Sequence, residues 1–265
     1  MPIWEVTDMV KNKKVSGYGQ GGVDVIMSVD QVAKEAAAIS ATAPKSNELE
    51  KLSKNNPLLS IKNLKAGYGK MEILHDFNLF VSKGQSLCLI GPNGAGKSTV
   101  LHSIFGFTNI FSGNITIGGK DITNLTPNQK LSNAGIAYIL QDKSVFPQMT
   151  VEENLLMGGF LKNKPSEAKQ ATEMVFDKYE RLAARRNKPA GVLSGGERRL
   201  LEISRALVMQ PQILLVDEPS IGLEPRFIDM VFGILDDLQK KDGKTIIMVE
   251  QNAKKGLAFA DIGYV

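Results

Sequence analysis

Cysteine is almost missing from this chain of 265 residues: Cys88 stands alone, so no disulfide can form within it. It sits in the apolar run Leu87-Cys88-Leu89-Ile90, where a small buried hydrophobe is expected rather than a reactive thiol, and a reducing cytoplasm is the natural compartment. Long hydrophobic runs are missing too. No apolar stretch approaches the roughly 18 residues that a spanning helix needs, so any membrane work falls to other chains. No basic region followed by an apolar one opens the sequence, which does not read as a secretory signal. Histidine is scarce: His75 and His102 are the only two. Neither has a motif partner for metal binding or nucleophilic catalysis, and no Cys/His cluster suggests zinc. Both are expected at the surface or in packing. No internal repeat is found.

What remains is an ordinary globular composition, 43% hydrophobic and 23% charged. The length allows one large domain, or one domain with an appendage. A formal charge of +4 reads as a lysine-rich solvated surface and says little about partners. Residues 1–56 differ in texture from the rest. Ser16 to Gly22 is glycine-rich, Val23 to Val29 alternates like a short strand, and residues 30–41 favour helix. Ala43 to Pro57 is polar and reads as a linker. The whole segment is expected to be a loosely attached extension.

From Leu58 onward, β and α units alternate. Leu58 to Leu64 and Asp76 to Val81 alternate apolar and polar residues, as antiparallel strands do. Gly113 to Ile122 reads as a hairpin with a Gly-Gly turn. Ser86 to Ile90, Ile136 to Leu140, Ile213 to Val216 and Thr245 to Val249 are apolar runs expected as buried strands. Helices are expected from Thr150, with Glu153 completing a capping box, over 166–182 and 196–209, from Pro225 to about Lys241, and over Asn252 to Ala260. This order argues for an α/β fold with a mostly parallel sheet, an antiparallel β subdomain, and a helical subdomain at about 143–208.

Gly91-Pro92-Asn93-Gly94-Ala95-Gly96-Lys97-Ser98-Thr99 satisfies G-x-x-x-x-G-K-S/T between an apolar strand and a helix. Glycines let the backbone curl so that N–H groups face phosphate oxygens, and the helix adds its positive end. Lys97 supplies a charge for the β- and γ-phosphates, and Ser98 a hydroxyl for Mg²⁺. Ile213-Leu214-Leu215-Val216-Asp217-Glu218 is an apolar strand ending in two acids. Asp217 is placed to hold Mg²⁺ and Glu218 to polarise the attacking water. Leu193-Ser194-Gly195-Gly196-Glu197 opens another helix. By itself it is an ordinary N-cap beside a flexible loop. Beside a P-loop, it is a second phosphate-seeking helix end, and it asks for a nucleotide on another chain.

These three motifs, in this order and spacing, resemble the nucleotide-binding subunit of ABC transporters over about Leu58 to Val265. The resemblance implies a P-loop ATPase core with the two subdomains above, and two cassettes closing on two ATP molecules. It places Ser194, Gly195 and Gly196 on the nucleotide of the opposing cassette. Tyr68 matches the aromatic residue that stacks on adenine, worth about 1–3 kcal/mol by analogy with base stacking. Gln141 matches the glutamine that touches Mg²⁺ and the attacking water, and Ser220 to Pro225 matches the loop that crosses between subunits. Gln251 stands where most of the family has a histidine facing the γ-phosphate; it can donate a hydrogen bond but carries no proton-coupled charge. The segment Val249-Glu250-Gln251-Asn252, with Thr150 to Leu155 and Met157 to Phe160, resembles the second cassette of branched-chain amino acid and urea importers.

That likeness implies Mg-ATP hydrolysis at the cytoplasmic face of the inner membrane. It also implies permease subunits, a second and non-identical cassette, and a periplasmic solute-binding protein as partners, and no nucleic acid. Two other readings compete: a soluble ABC ATPase acting on nucleic acid or ribosomes, and an ATP-binding module without turnover. The former usually carries paired cassettes, a coiled coil or zinc modules, none of which is seen. Family members also continue past Val265, so a shortened end with lower stability is expected.

Overall fold

The computed structural model describes residues 3–5, 46–53, 56–141 and 144–265. The strand read at 23–29 and the helix read at 30–41 lie outside the described residues. In chain order the elements begin with β1 (Ile3–Glu5), α1 (Ser46–Leu52), β2 (Pro57–Tyr68), β3 (Met71–Ser82) and β4 (Ser86–Leu89). The helix α2 (Lys97–Phe105) follows, then β5 (Asn109–Ile117), β6 (Lys120–Asp121), α3 (Pro127–Ser132) and β7 (Ile136–Ile139). A helical stretch comes next, with α4 (Val151–Gly158), α5 (Pro165–Lys178), α6 (Glu180–Ala183) and α7 (Gly195–Leu207). The chain closes with β8 (Ile213–Asp217), α8 (Pro225–Lys240), β9 (Thr245–Val249), α9 (Ala253–Phe259) and β10 (Ile262–Tyr264).

The apolar runs form one sheet in the order β1-β10-β4-β9-β8-β7, parallel throughout except for β1. Burial on both faces explains their unbroken hydrophobicity. Leu87, Leu89, Ile213, Leu215, Ile247 and Val249 point into one core with α2 and the second sheet. Their neighbours Cys88, Leu214, Val216, Ile246 and Met248 point into another, with α7 and α8. The second sheet, β3-β2-β5-β6, is antiparallel. A third core, including Val151, Leu155, Phe176, Leu182 and Leu201, holds the helical stretch together. The capping box at Thr150 forms as read: its hydroxyl accepts from Glu153 N–H at 3.1 Å, and Glu153 accepts from Thr150 N–H at 2.7 Å.

Three readings need correction. The segment Ala43 to Pro57, read as a linker, contains α1. That helix buries Leu49, and the Ser53 carbonyl accepts the Ser82 hydroxyl of β3. Its apolar content is too sparse to show a period, and docking supplies what local propensity lacks. The helix read over 166–182 is two helices, broken at Tyr179, whose φ of −127° and ψ of 81° lie outside the helical region. Residues 3–5, read as part of a loose extension, pair with β10 at the sheet edge.

Lys130 of α3 is fully buried, and its Nζ donates to the Ser103 carbonyl at the end of α2 at 3.3 Å. Burial pulls its pKa down to about 8, against a partial pull upward from Asp121. The unfolded chain keeps this proton to about pH 10.4. Between those values the unfolded state binds more protons, so the contribution of Lys130 to stability rises with pH across the window. We expect the unfolding free energy of wild type, minus that of Lys130→Met, to grow by about 2 kcal/mol from pH 7 to pH 10. Parallel urea titrations at the two pH values check it, and a flat difference would contradict the buried ammonium.

Candidate active site

The parallel strands end level. Ile139 pairs with Val216, Asp217 with Val249, and Leu89 with Val249. The residues just beyond these pairs therefore leave the sheet on one edge: the loop from Gly91, Gln141, Glu218 and Gln251. A cavity of about 450 Å³ there is lined by Tyr68, Asn93, Gly94, Gly96, Lys97, Ser98, Thr99, Gln141, Glu218 and Gln251, with Ile73. The expected residues of the chain's own nucleotide site line this pocket except for two: Gly91, whose carbonyl accepts from Lys97, and Asp217, which accepts from Ser98.

The loop is set by backbone. Gly94 and Gly96 both adopt φ of 83°, a left-handed conformation costly for other residues. Gly96 ends the loop as the N-cap of α2, and no side chain caps that helix. Its first-turn N–H groups are therefore not served by a cap side chain, and they suit an anion. Lys97 is buried, and its Nζ donates to the carbonyls of Gly91 and Pro92, each at 2.8 Å.

The acids are held separately. Asp217 is buried; its Oδ1 accepts the Ser98 hydroxyl at 3.1 Å and its Oδ2 the Tyr138 hydroxyl at 2.8 Å. Burial, and then the Asp217 charge, push the Tyr138 phenol far above its usual pKa, so it stays a donor. Glu218 is 8% exposed and has φ of 45°, a strained value that turns the chain at the strand end. Its Oε2 accepts from Gln141 Nε2 at 3.0 Å and its Oε1 from Gln251 Nε2 at 2.8 Å. Gln251 thus serves the carboxylate directly.

Ser98 Oγ and Asp217 Oδ1 form a hard-oxygen pair beside a phosphate-shaped loop, which is the donor chemistry that Mg²⁺ takes when substrate phosphates complete its shell. Among the described residues, no cluster of three acids, histidines or cysteines could hold a metal without phosphates.

Ser194, Gly195 and Gly196 are not among the residues lining this pocket. Ser194 caps α7: its hydroxyl accepts from Glu197 N–H at 3.3 Å, and Glu197 accepts from Ser194 N–H at 2.9 Å. Gly196 packs against Phe227 so closely that an added Cβ would lie 2.2 Å from the ring.

Three contributors escaped the sequence reading. Tyr138 anchors Asp217. His102 is half-buried and lies 2.5 Å by Nδ1 from the Tyr68 hydroxyl, within rings that include Phe105, Phe107 and Tyr138. Burial lowers its pKa, with the Asp217 charge partly opposing. Arg199 of α7 is buried and donates to the Leu140 carbonyl at 2.9 Å, the Asp217 carbonyl at 3.4 Å and Glu202 at 2.7 Å. Arg199 stands five residues after Ser194, and a buried arginine within a signature helix could have been flagged. Nothing in the sequence marks Tyr138 or His102.

This fold and site define a P-loop nucleotide-binding domain whose Ser194-Gly195-Gly196 segment lies outside the pocket. The family model described as ABC transporter matches residues 74–221. The high-affinity branched-chain amino acid transport ATP-binding protein BraG of Pseudomonas aeruginosa is 41% identical over 208 residues, 78% of this chain and 88% of that protein. The probable branched-chain amino acid transport ATP-binding protein LivF of Archaeoglobus fulgidus is 38% identical over 208 residues, 78% of this chain and 87% of that one. The ADP conformation of an ATP-binding cassette of an ABC transporter superposes with a TM-score of 0.70 at 31% identity, covering 79% of this chain and 87% of that one. The chain belongs to the ABC transporter family, as one of its ATP-binding cassettes.

Because α7 and the start of α8 meet at Gly196, we expect Gly196→Ala to cost about 1–3 kcal/mol of stability through overpacking. Phe227→Leu in the same chain should recover much of the loss. Thermal melts of the two variants and wild type test this.

Proposed function

We propose that this chain is the ATP-hydrolysing subunit of an ABC importer, energising uptake of branched-chain amino acids or related small polar solutes. The convergence of Lys97, Ser98, Gln141, Glu218 and Gln251 on one pocket beside an uncapped helix start carries the reading. In it, Lys97 leaves the Gly91 and Pro92 carbonyls for the β- and γ-phosphates. Tyr68, 42% exposed at the pocket rim, stacks on adenine while His102 steadies its hydroxyl. Ser98, Asp217 and Gln141 would hold Mg²⁺, which supplies charge neutralisation at the phosphates when bound. Glu218 orients the attacking water, and the amides of Gln141 and Gln251 fix that carboxylate before the water arrives. Catalysis is then positioning and electrostatic stabilisation of the phosphoryl group.

Residues 57–265 form the ATP-binding domain in this reading, and 143–208 its helical subdomain. Ser194, Gly195 and Gly196 meet the nucleotide of an opposing, non-identical cassette. A permease subunit docks where Phe146, Met157 and Phe160 line a groove; Phe160 is 78% exposed. No helix among the described residues is long and apolar enough to cross a membrane, which agrees with peripheral attachment at the cytoplasmic face. The names of BraG and LivF support the cargo class, and a periplasmic binding protein would deliver it.

Glu218→Gln tests the chemistry. Turnover should fall by at least about 100-fold, the usual scale for losing a positioned base. Mg-ATP binding should persist, and a sizing column should show an ATP-dependent dimer or, with the partner cassette added, a heterodimer. Loss of ATP binding in this variant would sink the assignment. Uptake of labelled leucine in cells expressing the full set of subunits, compared with a Lys97→Ala version, tests the cargo.

A further inference from the structure

Glu250 has no part in the pocket, yet it is 1% exposed, and a buried carboxylate is costly unless it is used. It follows β9 directly and stands next to Gln251. Its Oε1 accepts the Ser220 hydroxyl at 2.8 Å and the Asn252 backbone N–H at 3.0 Å. Its Oε2 is buried and has no hydrogen-bond partner among the described residues. Its stem is clamped: a Cβ added at Gly256 of α9 would lie 3.3 Å from Glu250 Cβ and 2.7 Å from Cys88 Sγ.

Each contact of Oε1 leads to a different loop around Glu218. Ser220 lies two residues after Glu218, in a turn where Ile221 N–H donates to the Glu218 carbonyl at 3.2 Å. Asn252 lies one residue after Gln251, whose amide holds the Glu218 carboxylate. A single oxygen thus ties the loop after the catalytic acid to the loop that supplies one of its two amide donors. The Asn252 N–H can only donate, so the group facing it must accept. A carboxylate presents an acceptor whichever way it turns, whereas an amide satisfies this site in only one of its two orientations.

We propose that Glu250 is a positioning residue for hydrolysis. It locks the Ser220 loop to the Gln251 loop, so that the Glu218 carboxylate is aimed only while the two loops move together. This rests on the ATPase reading above. Because the Ser220 loop is the stretch expected to cross to the opposing cassette, contact there reaches Gln251 through Glu250, with no direct contact from the partner to Gln251.

The test uses the full chain carrying Glu250→Leu, Ser220→Ala or Glu250→Gln. Amide hydrogen exchange at 218–223 and 250–252, ATP affinity, melting temperature and single-turnover hydrolysis are each compared with wild type. Glu250→Leu and Ser220→Ala should speed exchange in both loops and slow hydrolysis by about tenfold, the scale of one lost buried hydrogen bond. ATP affinity should stay within about twofold, because Lys97 and its loop are untouched. Glu250→Gln, which keeps an acceptor, should restore most of the rate. Exchange confined to one loop, or a loss of ATP affinity and melting temperature in step with the rate, would overturn the proposal. The exchange measurement judges the coupling even if wild type shows no turnover with the partner cassette added, an outcome that would count against the ATPase reading instead.

Discussion

Everything in the site hangs on the parallel register of β4, β9, β8 and β7. In a parallel ladder, neighbouring residues are fixed side by side, and a slip by one position would send every buried side chain to the opposite face. Here each strand is buried on both sides, with alternate residues committed to two different cores. The register is therefore held by hydrophobic burial on the scale of many side chains, each contributing about 1.5–3 kcal/mol. With the strands locked, the four loops leave from one edge, and a lysine, a hydroxyl, two acids and two glutamines meet without long-range polar contacts having to find each other.

Polar contacts then make the final adjustment, and they act on each acid in a different way. Asp217 is fixed by hydroxyls, from Ser98 and Tyr138, which leaves its charge beside other oxygens as a cation site requires. Glu218 is fixed by amides from two separate loops and bends the backbone to a positive φ to reach them. Arg199 adds a third tie, holding the carbonyls of Leu140 and Asp217 from the signature helix. The signature helix is thereby pinned to the loop carrying Gln141 and to the strand carrying the acids. Its neutralising partner Glu202 lies one turn along the same helix, so the buried charge is balanced locally.

The strands, the P-loop, the acid pair and the capping box at Thr150 were legible because each is a local pattern with a local cause. An apolar run between turn signals, a glycine at a required φ and a Ser/Thr three residues before Glu all declare themselves within a few positions. What stayed hidden is long-range. Tyr138 and Asp217 are 79 residues apart, and Tyr68 and His102 are 34 apart. Such pairs exist only after the sheet has formed. Gly196 was read for contact with an opposing nucleotide, and its packing against Phe227, 31 positions further on, was not visible. The helix α1 escaped notice because its stability comes from docking on β3 and not from a periodic face.

The loop contacts of Lys97 have a kinetic side. With its ammonium bound by two carbonyls of its own loop, Lys97 ties the turn from Gly91 to Gly96 together through contacts internal to the chain. The conformational entropy of ordering that loop is spent when the chain folds, so an arriving nucleotide does not have to supply it. Its encounter with the site needs only an exchange of two hydrogen bonds, a side-chain motion on the nanosecond scale, and association is then governed by diffusion and charge in place of loop closure.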